Sequence, residues 1–173
     1  MYHPMGMTGT PVPGVGANQK IPEYQSSALN SRVLGYLGRA LSMEFSAAQH
    51  YLAQANLASL RHEKDFEKVF IDLANKELQH ANLLINRMVI QGALPSGTVL
   101  RPASPSYNII EALQSCEERV VLLINLYTEA CQYCANFSLA EDQVLFDKLL
   151  QDEKQQLSNM QAWLQSLSPK MKF

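Results

Sequence analysis

The sequence predicts an all-α protein, a four-helix bundle of two antiparallel helix pairs joined by a long crossover. The chain has 173 residues, of which 47% are hydrophobic, so a single domain can bury a sizeable core. No proline occurs from Glu23 to Leu94 or from Ser106 to Ser168, whereas three prolines lie between these two stretches. Few segments alternate apolar and polar residues with a period of two, so strands are not required. Because proline interrupts helices, two long proline-free stretches around a proline-rich link favour two helical pairs.

The first proline-free stretch is predicted to hold two helices. Ser31 can cap the first helix, which we place at about 31–60. A polar turn over 61–65 then leads into the second helix, which runs to about Gln91 and has Gly92 as its stop signal.

The second proline-free stretch is predicted to hold the other two helices. The third helix begins near Tyr107 and runs to about Asn136. Ser138 and Glu141 have the spacing of a capping box, which predicts the start of a fourth helix. This helix ends near Leu167, just before the last proline.

The chain divides into a bundle and two flanking segments. Residues 1–28 hold four prolines and four glycines, which predicts a flexible N-terminal arm. This arm is either a disordered tail or a segment that docks a protein partner. The bundle is expected over 29–168, and a short C-terminal tail over 169–173.

The composition argues against several classes of protein. The formal net charge is −2 and no basic stripe interleaves with aromatic residues, so a nucleic-acid-binding protein is not expected. The apolar runs fall far short of the roughly 18 residues that a membrane span needs. The first residues lack the pattern of a secretory signal, and three cysteines are too few for a disulfide scaffold. These features predict a cytoplasmic protein without a membrane span.

The three cysteines suggest a second candidate metal site, for which the sequence evidence is weaker. Cys131-x-x-Cys134 could bind zinc together with Cys116, but no fourth ligand has a suitable spacing. Since Cys131 and Cys134 continue the apolar face of the third helix, buried structural thiols are favoured.

Each helix has an acidic residue in the middle of its apolar face. Alternating steps of three and four residues trace the inward seam of a helix in a bundle. For the third helix this counting gives Ile110, Leu113, Glu117, Val120, Ile124, Tyr127 and Cys131. The acids that fall on the four seams are Glu44, Glu77, Glu117 and Glu153, and His80 lies one turn after Glu77. Burying a lone carboxylate costs several kcal/mol, so four converging carboxylates indicate a shared cation. The alternative is that some of them pair with Arg39, Arg87 or Arg119, or point to water.

The two halves of the chain are related by an internal duplication. A shift of 76 positions places Glu77 on Glu153, and it also aligns Leu37 with Leu113, Tyr51 with Tyr127, Leu73 with Leu149 and Leu84 with Met160. The same shift places Glu44 on Val120 and His80 on Gln156. A symmetric ancestor would have carried a Glu and then Glu-x-x-His in both halves, which is the ligand set for two metal ions in a bundle core.

Three motifs resemble those of bacterioferritin: Glu44 with Tyr51 seven residues on, Glu77-Leu-Gln-His80, and Asp152-Glu153-Lys-Gln-Gln156. The stretch Leu126-Tyr127-Thr128-Glu129-Ala130 is similar to that family as well, and the resemblance covers about 34–164. It implies the ferritin-like topology for the bundle. It also implies oxidation of ferrous iron at a di-iron centre and storage of the ferric mineral inside a cage of subunits.

Carried over residue by residue, the resemblance implies that Glu44 and His80 hold the first iron and that Glu77 and Glu153 bridge to the second. The second iron would meet Val120 and Gln156. An apolar side chain and a neutral amide cannot replace a carboxylate and an imidazole as iron ligands. One iron site is therefore expected, the second is doubtful, and any ferroxidase activity should be impaired.

Glu117 leaves two alternatives open. If it lies level with Gln156 on the neighbouring antiparallel helix, Gln156 can donate a hydrogen bond to its carboxylate. Otherwise Glu117 swings into the bundle as a displaced metal ligand. The first alternative is favoured because one helical turn, about 5.4 Å, separates Glu117 from Val120.

The resemblance also bears on haem and on assembly. Bacterioferritins bind haem through a Met that follows the Glu of the second helix, and Leu78 stands there in this chain, so haem is not expected. Little chain follows Trp163 to form the fifth helix of a cage. The apolar residues Val33, Tyr36 and Leu52 predict an outer contact face, and hence at least a homodimer or a mixed assembly with another ferritin-like subunit.

Three functions are consistent with these observations. The first is an iron-binding protein of the bacterioferritin type for iron storage or homeostasis, with one metal ion per subunit. The second is a ferritin-fold oxidoreductase with a single or unequal metal centre. The third is a non-catalytic scaffold that docks a partner through its N-terminal arm.

Overall fold

The computed structural model describes residues 23–168, with side chains from Ser27 onward. The described chain is all α-helical and contains no strand. Its helices are α1 (Glu23–Leu60), α2 (Lys64–Ile90), α3 (Ile109–Asn136) and α4 (Ala140–Leu167). The predicted four-helix bundle is confirmed. Residues 1–22 of the predicted arm and the tail 169–173 lie outside the described residues, so the division into arm, bundle and tail stays a prediction.

The helices pack as two pairs. Helix α1 lies along α2 and α3 lies along α4, and the two pairs meet mainly through α1 and α3. Short turns join the partners within each pair, whereas residues 91–108 cross from one pair to the other without forming a helix. This is the predicted arrangement, with a long crossover between the pairs.

Three polar side chains on one face of α1 hold the crossover in place. The Arg101 backbone N–H donates to Ser46 Oγ at 2.9 Å, and the Ser104 N–H donates to His50 Nδ1 at 3.2 Å. One turn further along, Gln54 Nε2 donates to the Ser104 carbonyl at 2.8 Å. Backbone groups of an irregular segment need partners when they are buried, and these side chains supply them.

The C-terminal ends of all four helices, at Leu60, Ile90, Asn136 and Leu167, agree with the sequence prediction, whereas the starts of α1, α3 and α4 differ from it. Gly92 has a φ of 77°, and the N–H groups of Gly92 and Ala93 donate to Val89 and Met88 at 2.9 Å, so α2 stops at its predicted glycine. Helix α1 begins at Glu23 rather than at Ser31, because no proline or glycine stands between them.

Helix α3 starts at Ile109, two residues later than the predicted Tyr107. Its N-cap is Asn108, whose side chain accepts a hydrogen bond from the Glu111 N–H at 2.9 Å.

The predicted capping box of α4 is wrong. Ser138 has a φ of 55° and its N–H donates to Ala135 O, while the Leu139 N–H donates to Cys134 O. Ser138 therefore terminates α3 in a left-handed conformation, and Leu139 takes the N-cap position of α4 without a side-chain cap.

The inward face of α3 differs from the predicted seam at alternate positions. Leu113, Val120 and Tyr127 are fully buried as predicted, but the positions between them are filled by Cys116 and Leu123. The predicted seam steps by four residues from Leu113 to Glu117, whereas the observed face steps by three to Cys116. Glu117, Ile124 and Cys131 are therefore turned partly away from the core. Continuing the observed order, Ala130 and Cys134 are also buried.

The predicted outer face of α1 is wrong in part. Val33 and Tyr36 are 1% exposed and belong to the core, where the Tyr36 hydroxyl donates to Glu129 at 2.7 Å. Only Leu52, at 43% exposure, lies on the outside. Tyr36 is buried because it packs between the two helix pairs, against Tyr133 of α3 and Phe146 of α4.

Among the described residues, none of the helices combines the length and the apolar character needed to cross a membrane.

Candidate metal centre

Three helices bring four ligating side chains to one point in the core. Glu44 comes from α1, Glu77 and His80 from successive turns of α2, and Glu153 from α4. Each is at most 2% exposed. One ligand atom from each residue lies within 4.8 Å of the others, so the four residues predicted as metal ligands do lie together.

His80 Nδ1 is at the centre of this group. It lies 3.1 Å from Glu153 Oε1, 3.3 Å from Glu77 Oε2 and 3.4 Å from Glu44 Oε1. Ligands at about 2.0–2.2 Å from a common metal ion are themselves separated by roughly 3.0–3.5 Å. The spacing of these atoms therefore suits a small divalent cation.

The other ring nitrogen of His80 faces a second acid. Its Nε2 lies 3.3 Å from Asp152 Oδ2, and Lys148 Nζ donates to the same oxygen at 2.9 Å. Burial alone would raise the pKa of Asp152, but Lys148 and His80 lower it, so the carboxylate is ionised and accepts from His80 Nε2–H. A His held in this way presents Nδ1 to a metal ion.

Asp152 is a functional position that the sequence reasoning did not assign. It appears in the motif next to Glu153, yet it points to the rim of the core and is half-buried. Two features of the sequence could have pointed to Asp152: it directly precedes a core Glu, and it lies four residues after Lys148.

Two buried tyrosines, aligned by the internal duplication, differ in their contacts. The Tyr127 hydroxyl donates to Glu44 Oε1. The hydroxyl of Tyr51 is buried and has no partner among the described residues. Burial, and then the neighbouring carboxylates, raise the pKa of both tyrosines well above the ordinary value, so both carry their protons.

Unpartnered polar atoms are concentrated at this site. Buried atoms without a hydrogen-bond partner in the described residues include Glu44 Oε2, Glu77 Oε2, His80 Nδ1, Glu153 Oε2, the Tyr51 hydroxyl and Gln156 Oε1. Each such atom costs about 1–3 kcal/mol when it is left unsatisfied. The donor set of three carboxylates and one imidazole fits a divalent metal ion, which would satisfy several of these atoms at once.

Protons neutralise the site when no cation is bound. Burial and the neighbouring Glu77 raise the pKa of Glu44 well above its ordinary value, and the same causes raise the pKa of Glu153 to about 8. The pKa of Glu77 is lowered, because the neighbouring side chains of Glu44, His80 and Gln156 outweigh its burial. Burial opposes protonation of His80, but the three carboxylates raise its pKa to about 12. A bound metal ion therefore has to displace protons from the site.

Gln156 lies beside the carboxylates that the resemblance assigns as bridges to a second iron. Its Nε2 donates to Glu77 Oε1 at 3.0 Å and to Glu153 Oε1 at 3.2 Å. Val120, the other residue at this position, is fully buried and offers no ligand atom.

Both sequence-based alternatives for Glu117 are wrong. Its carboxylate is half-buried at the edge of the bundle and accepts a hydrogen bond from Gln161 Nε2 at 3.0 Å. The Glu117 side chain is turned to the edge of the bundle, where it contacts Gln161 rather than Gln156.

The arginines named as alternative partners of the core acids bind elsewhere. Arg39 lies 4.0 Å from Glu129, Arg87 binds Asp142 and Glu141, and Arg119 donates to backbone carbonyl groups.

The cysteines behave as structural thiols. Cys116 and Cys134 are buried, Cys131 is half-buried, and burial raises the pKa of all three. Within residues 27–168, no group of three or more His, Cys, Asp or Glu side chains other than the four core ligands converges on a possible metal position.

Comparison with protein families supports this description of the fold. The model of the ferritin-like domain matches residues 34–169. The chain belongs to the ferritin-like family.

This ferritin-like chain is also similar to a solved structure, that of Rhodobacter capsulatus bacterioferritin with a metal-free dinuclear site and haem iron. The two superpose with a TM-score of 0.75 over 78% of this chain and 84% of the other, with 22% sequence identity. At that identity the similarity establishes the fold alone. No curated protein matches the sequence.

Proposed function

We propose that this ferritin-like protein binds one ferrous ion per chain at Glu44, Glu77, His80 and Glu153, and that it serves in iron storage or homeostasis. The observation that carries the proposal is the concentration of unpartnered carboxylate and imidazole atoms around a single point in the core. The ligand types also suit manganese or zinc, and the ferritin-like fold favours iron among them.

The arrangement of Gln156 supports one metal ion per chain. Its two amide hydrogens are directed at Glu77 and Glu153, the residues that would otherwise bridge two ions. An amide N–H carries a positive partial charge and repels a cation. The neutral side chain therefore holds the two carboxylates in position for one ion and excludes a second.

A single ion changes the oxidation chemistry that is expected. Reduction of dioxygen to peroxide takes two electrons, whereas one ferrous ion supplies one. With no second ion beside it, ferrous oxidation should be slow compared with that at a complete di-iron centre. Storage of iron would then depend on a partner subunit with a complete centre, or on slow oxidation at this site.

We further propose that the protein forms at least a homodimer, or a mixed assembly with another ferritin-like subunit, in the cytoplasm. Leu52 of α1 and Ile71 and Leu78 of α2 are 43%, 39% and 44% exposed, which leaves apolar surface on the first helix pair. Leu78 also lacks an atom that could ligate haem iron, and this supports an assembly without haem. Sedimentation at micromolar concentration would contradict the assembly if it gave a monomer.

Anaerobic titration with ferrous iron, together with elemental analysis of the purified protein, tests the metal site. We expect one iron per chain in the wild type and a strong loss of occupancy in Glu77→Gln. Glu117→Gln is the matched control, since Glu117 lies on the rim, and it should bind iron as the wild type does. Two tightly bound irons would contradict the single-ion site. No binding with excess ferrous iron would favour the scaffold function instead.

A further inference from the structure

Two arginines, one in the crossover and one on α3, lack an acidic partner. Among residues 27–168, the other arginines all contact carboxylates: Arg32 and Arg39 contact Glu129, Arg61 contacts Glu63, and Arg87 contacts Glu141 and Asp142. Arg101 in the crossover and Arg119 on α3 have no carboxylate within the 4.0 Å of an ion pair in this part of the chain.

Arg119 is the more unusual of the two because its side chain is buried. It is 5% exposed. One N–H group donates to the Ser46 carbonyl at 3.3 Å and another to the Pro102 carbonyl at 2.6 Å. Burying a charge without a counter-charge costs several kcal/mol, so an anion beside Arg119 would stabilise the fold.

Arg101 and Arg119 lie close enough for their charges to interact. Burial, followed by the charge of Arg101, lowers the pKa of Arg119. The same two arginines contribute, after burial, to the low pKa of His50. The charge of Glu118 acts on Arg119 in the opposite sense, and its effect is weaker than that of Arg101. Both arginines therefore act on the same part of the molecule, where Glu117 and Glu118 line a neighbouring cavity with Arg101.

Arg101 and Arg119 both line a small cavity. It has a volume of about 130 Å³ and is lined by Arg101, Arg119 and Ser42 together with Met43, Val99 and Leu122. The hydroxyl of the neighbouring Ser46 donates to the Ser42 carbonyl at 2.7 Å and accepts from the Arg101 N–H, so it is fully engaged. Besides Ser46, the lining residues whose side chains carry hydrogen-bond donors are Arg101, Arg119 and Ser42.

We infer that this cavity, formed by α1, the crossover and α3, binds a small oxoanion between Arg101 and Arg119. Guanidinium groups bind phosphate and carboxylate through paired charge-assisted hydrogen bonds, and two of them suit a dianion such as phosphate. The apolar wall formed by Met43, Val99 and Leu122 would suit an organic oxoanion with a short aliphatic part. The bound anion would join α1, α3 and the crossover, because Arg101 and Arg119 both contact Ser46 and come from different elements.

Isothermal titration of the full chain at constant ionic strength tests the inference, with inorganic phosphate as the first probe and butyrate as the second. Saturable binding is expected for the wild type, with a rise in Tm. Tighter binding of phosphate would identify a free inorganic oxoanion as the ligand, and tighter binding of butyrate would identify an organic carboxylate.

The variant Arg101→Gln should weaken binding of the preferred anion at least tenfold while keeping helical content and iron stoichiometry. Arg101 is exposed and its side chain makes no hydrogen bond in the described residues, so this variant should fold, whereas Arg119 also anchors the crossover. Arg39→Gln is the control, since Arg39 is an exposed arginine beside Glu129. No saturable binding of either probe would overturn the inference, and so would equal affinity in the wild type and Arg101→Gln.

Discussion

His80 is held from both sides by acids, and these acids have different tasks. Its Nδ1 faces the three core carboxylates, whereas Nε2 donates to Asp152 at the rim. Asp152 touches no other core ligand atom in the described contacts. It acts through His80, because it fixes the ring orientation and the nitrogen that keeps its proton, and so it is a positioning residue.

Substituting Asp152 by Asn should therefore weaken metal affinity by about 10–100-fold without changing the stoichiometry of one ion per chain. The amide accepts a weaker hydrogen bond from Nε2–H, so His80 becomes a poorer ligand. Competition titration against a chelating dye measures the affinity. Asp147→Asn, at an exposed position of α4, should leave affinity unchanged. Equal affinities of Asp152→Asn and wild type would contradict the positioning role.

Substitutions at Val120 and Gln156 test the site in the opposite direction. They should allow it to bind a second metal ion. The double variant Val120→Glu with Gln156→His restores the ligand types that the duplicated half carries at Glu44 and His80. We expect the iron stoichiometry to rise towards two and ferrous oxidation to become faster. Absorbance of the ferric product after aerobic addition of ferrous iron follows the rate. A variant that folds but still binds one iron, at the wild-type rate, would show that Gln156 does not by itself limit the site.

At the scale of the elements, α1 and the crossover are joined through a neutral histidine. His50 Nδ1 accepts from the Ser104 N–H, and its Nε2 lies 2.9 Å from Ser115 Oγ on α3. The Ser115 hydroxyl donates to the Ala112 carbonyl, so it accepts from Nε2–H. The imidazole is thus neutral and links three elements. Protonation would remove the acceptor that Ser104 needs.

This contact predicts how stability depends on pH. Burial, and then Arg119 and Arg101, lower the pKa of His50 from 6.5 to about 4 in the folded chain. Between these values the unfolded chain binds a proton and the folded chain does not, so the free energy of unfolding falls as pH decreases from 6.5 towards 4. His50 should contribute about 1–2 kcal/mol to the loss between pH 7 and pH 5, after allowance for solvent screening.

Comparison with His50→Gln measures this contribution. Gln can replace both hydrogen bonds but does not titrate, so urea unfolding of the variant should show a smaller loss of stability between pH 7 and pH 5. The same loss in both proteins would contradict the role of His50.

The elements that sequence could predict are those with a strong local signal. Gly92 marks the end of α2 because few other residues adopt its left-handed conformation at low cost. Ser138 misled the prediction because it shows the same type of conformation without being glycine, and it ends α3 rather than capping α4. Glu141, three residues after Ser138, has the spacing of a capping box only by coincidence.

The candidate site was predictable in part for a similar reason. Glu44, Glu77, His80 and Glu153 stand out because an acid on an apolar face is costly and the duplication repeats the pattern. The rotation of α3, which moves Glu117 to the rim, was readable from the sequence, since the steps from Leu113 through Cys116, Val120, Leu123 and Tyr127 give an apolar seam without an acid. Asp152 and the contacts of His50 involve pairs of residues far apart in the chain, which a single sequence does not reveal.

At the scale of the whole molecule, metal binding and folding are linked. Three buried carboxylates from three helices repel one another unless protons or a cation neutralise them. A bound ion joins α1, α2 and α4 at the middle of the bundle, so binding energy adds to the free energy of unfolding.

Removing the metal ion should therefore lower the Tm at pH 7. With free metal at 100 times its Kd, the linked stabilisation is about 2.7 kcal/mol, which corresponds to about 5–10 °C for a chain of this size. Differential scanning calorimetry before and after chelation measures the change, and added ferrous iron under anaerobic conditions should restore the Tm. Glu77→Gln should show little response to either treatment. A Tm in the wild type that does not respond to chelation would contradict a bound ion in the core.

The presence of an amide at Gln156, in place of a second cation, has a consequence for the oxidation state of iron. Three carboxylates carry a charge of about −3 when a metal ion has displaced their protons. A ferrous ion leaves the buried site with one net negative charge, whereas a ferric ion makes it neutral. Because uncompensated charge is unfavourable in the core, we expect the pocket to favour ferric iron and to lower its reduction potential. Iron would then leave the protein only after an external reductant had restored the ferrous state.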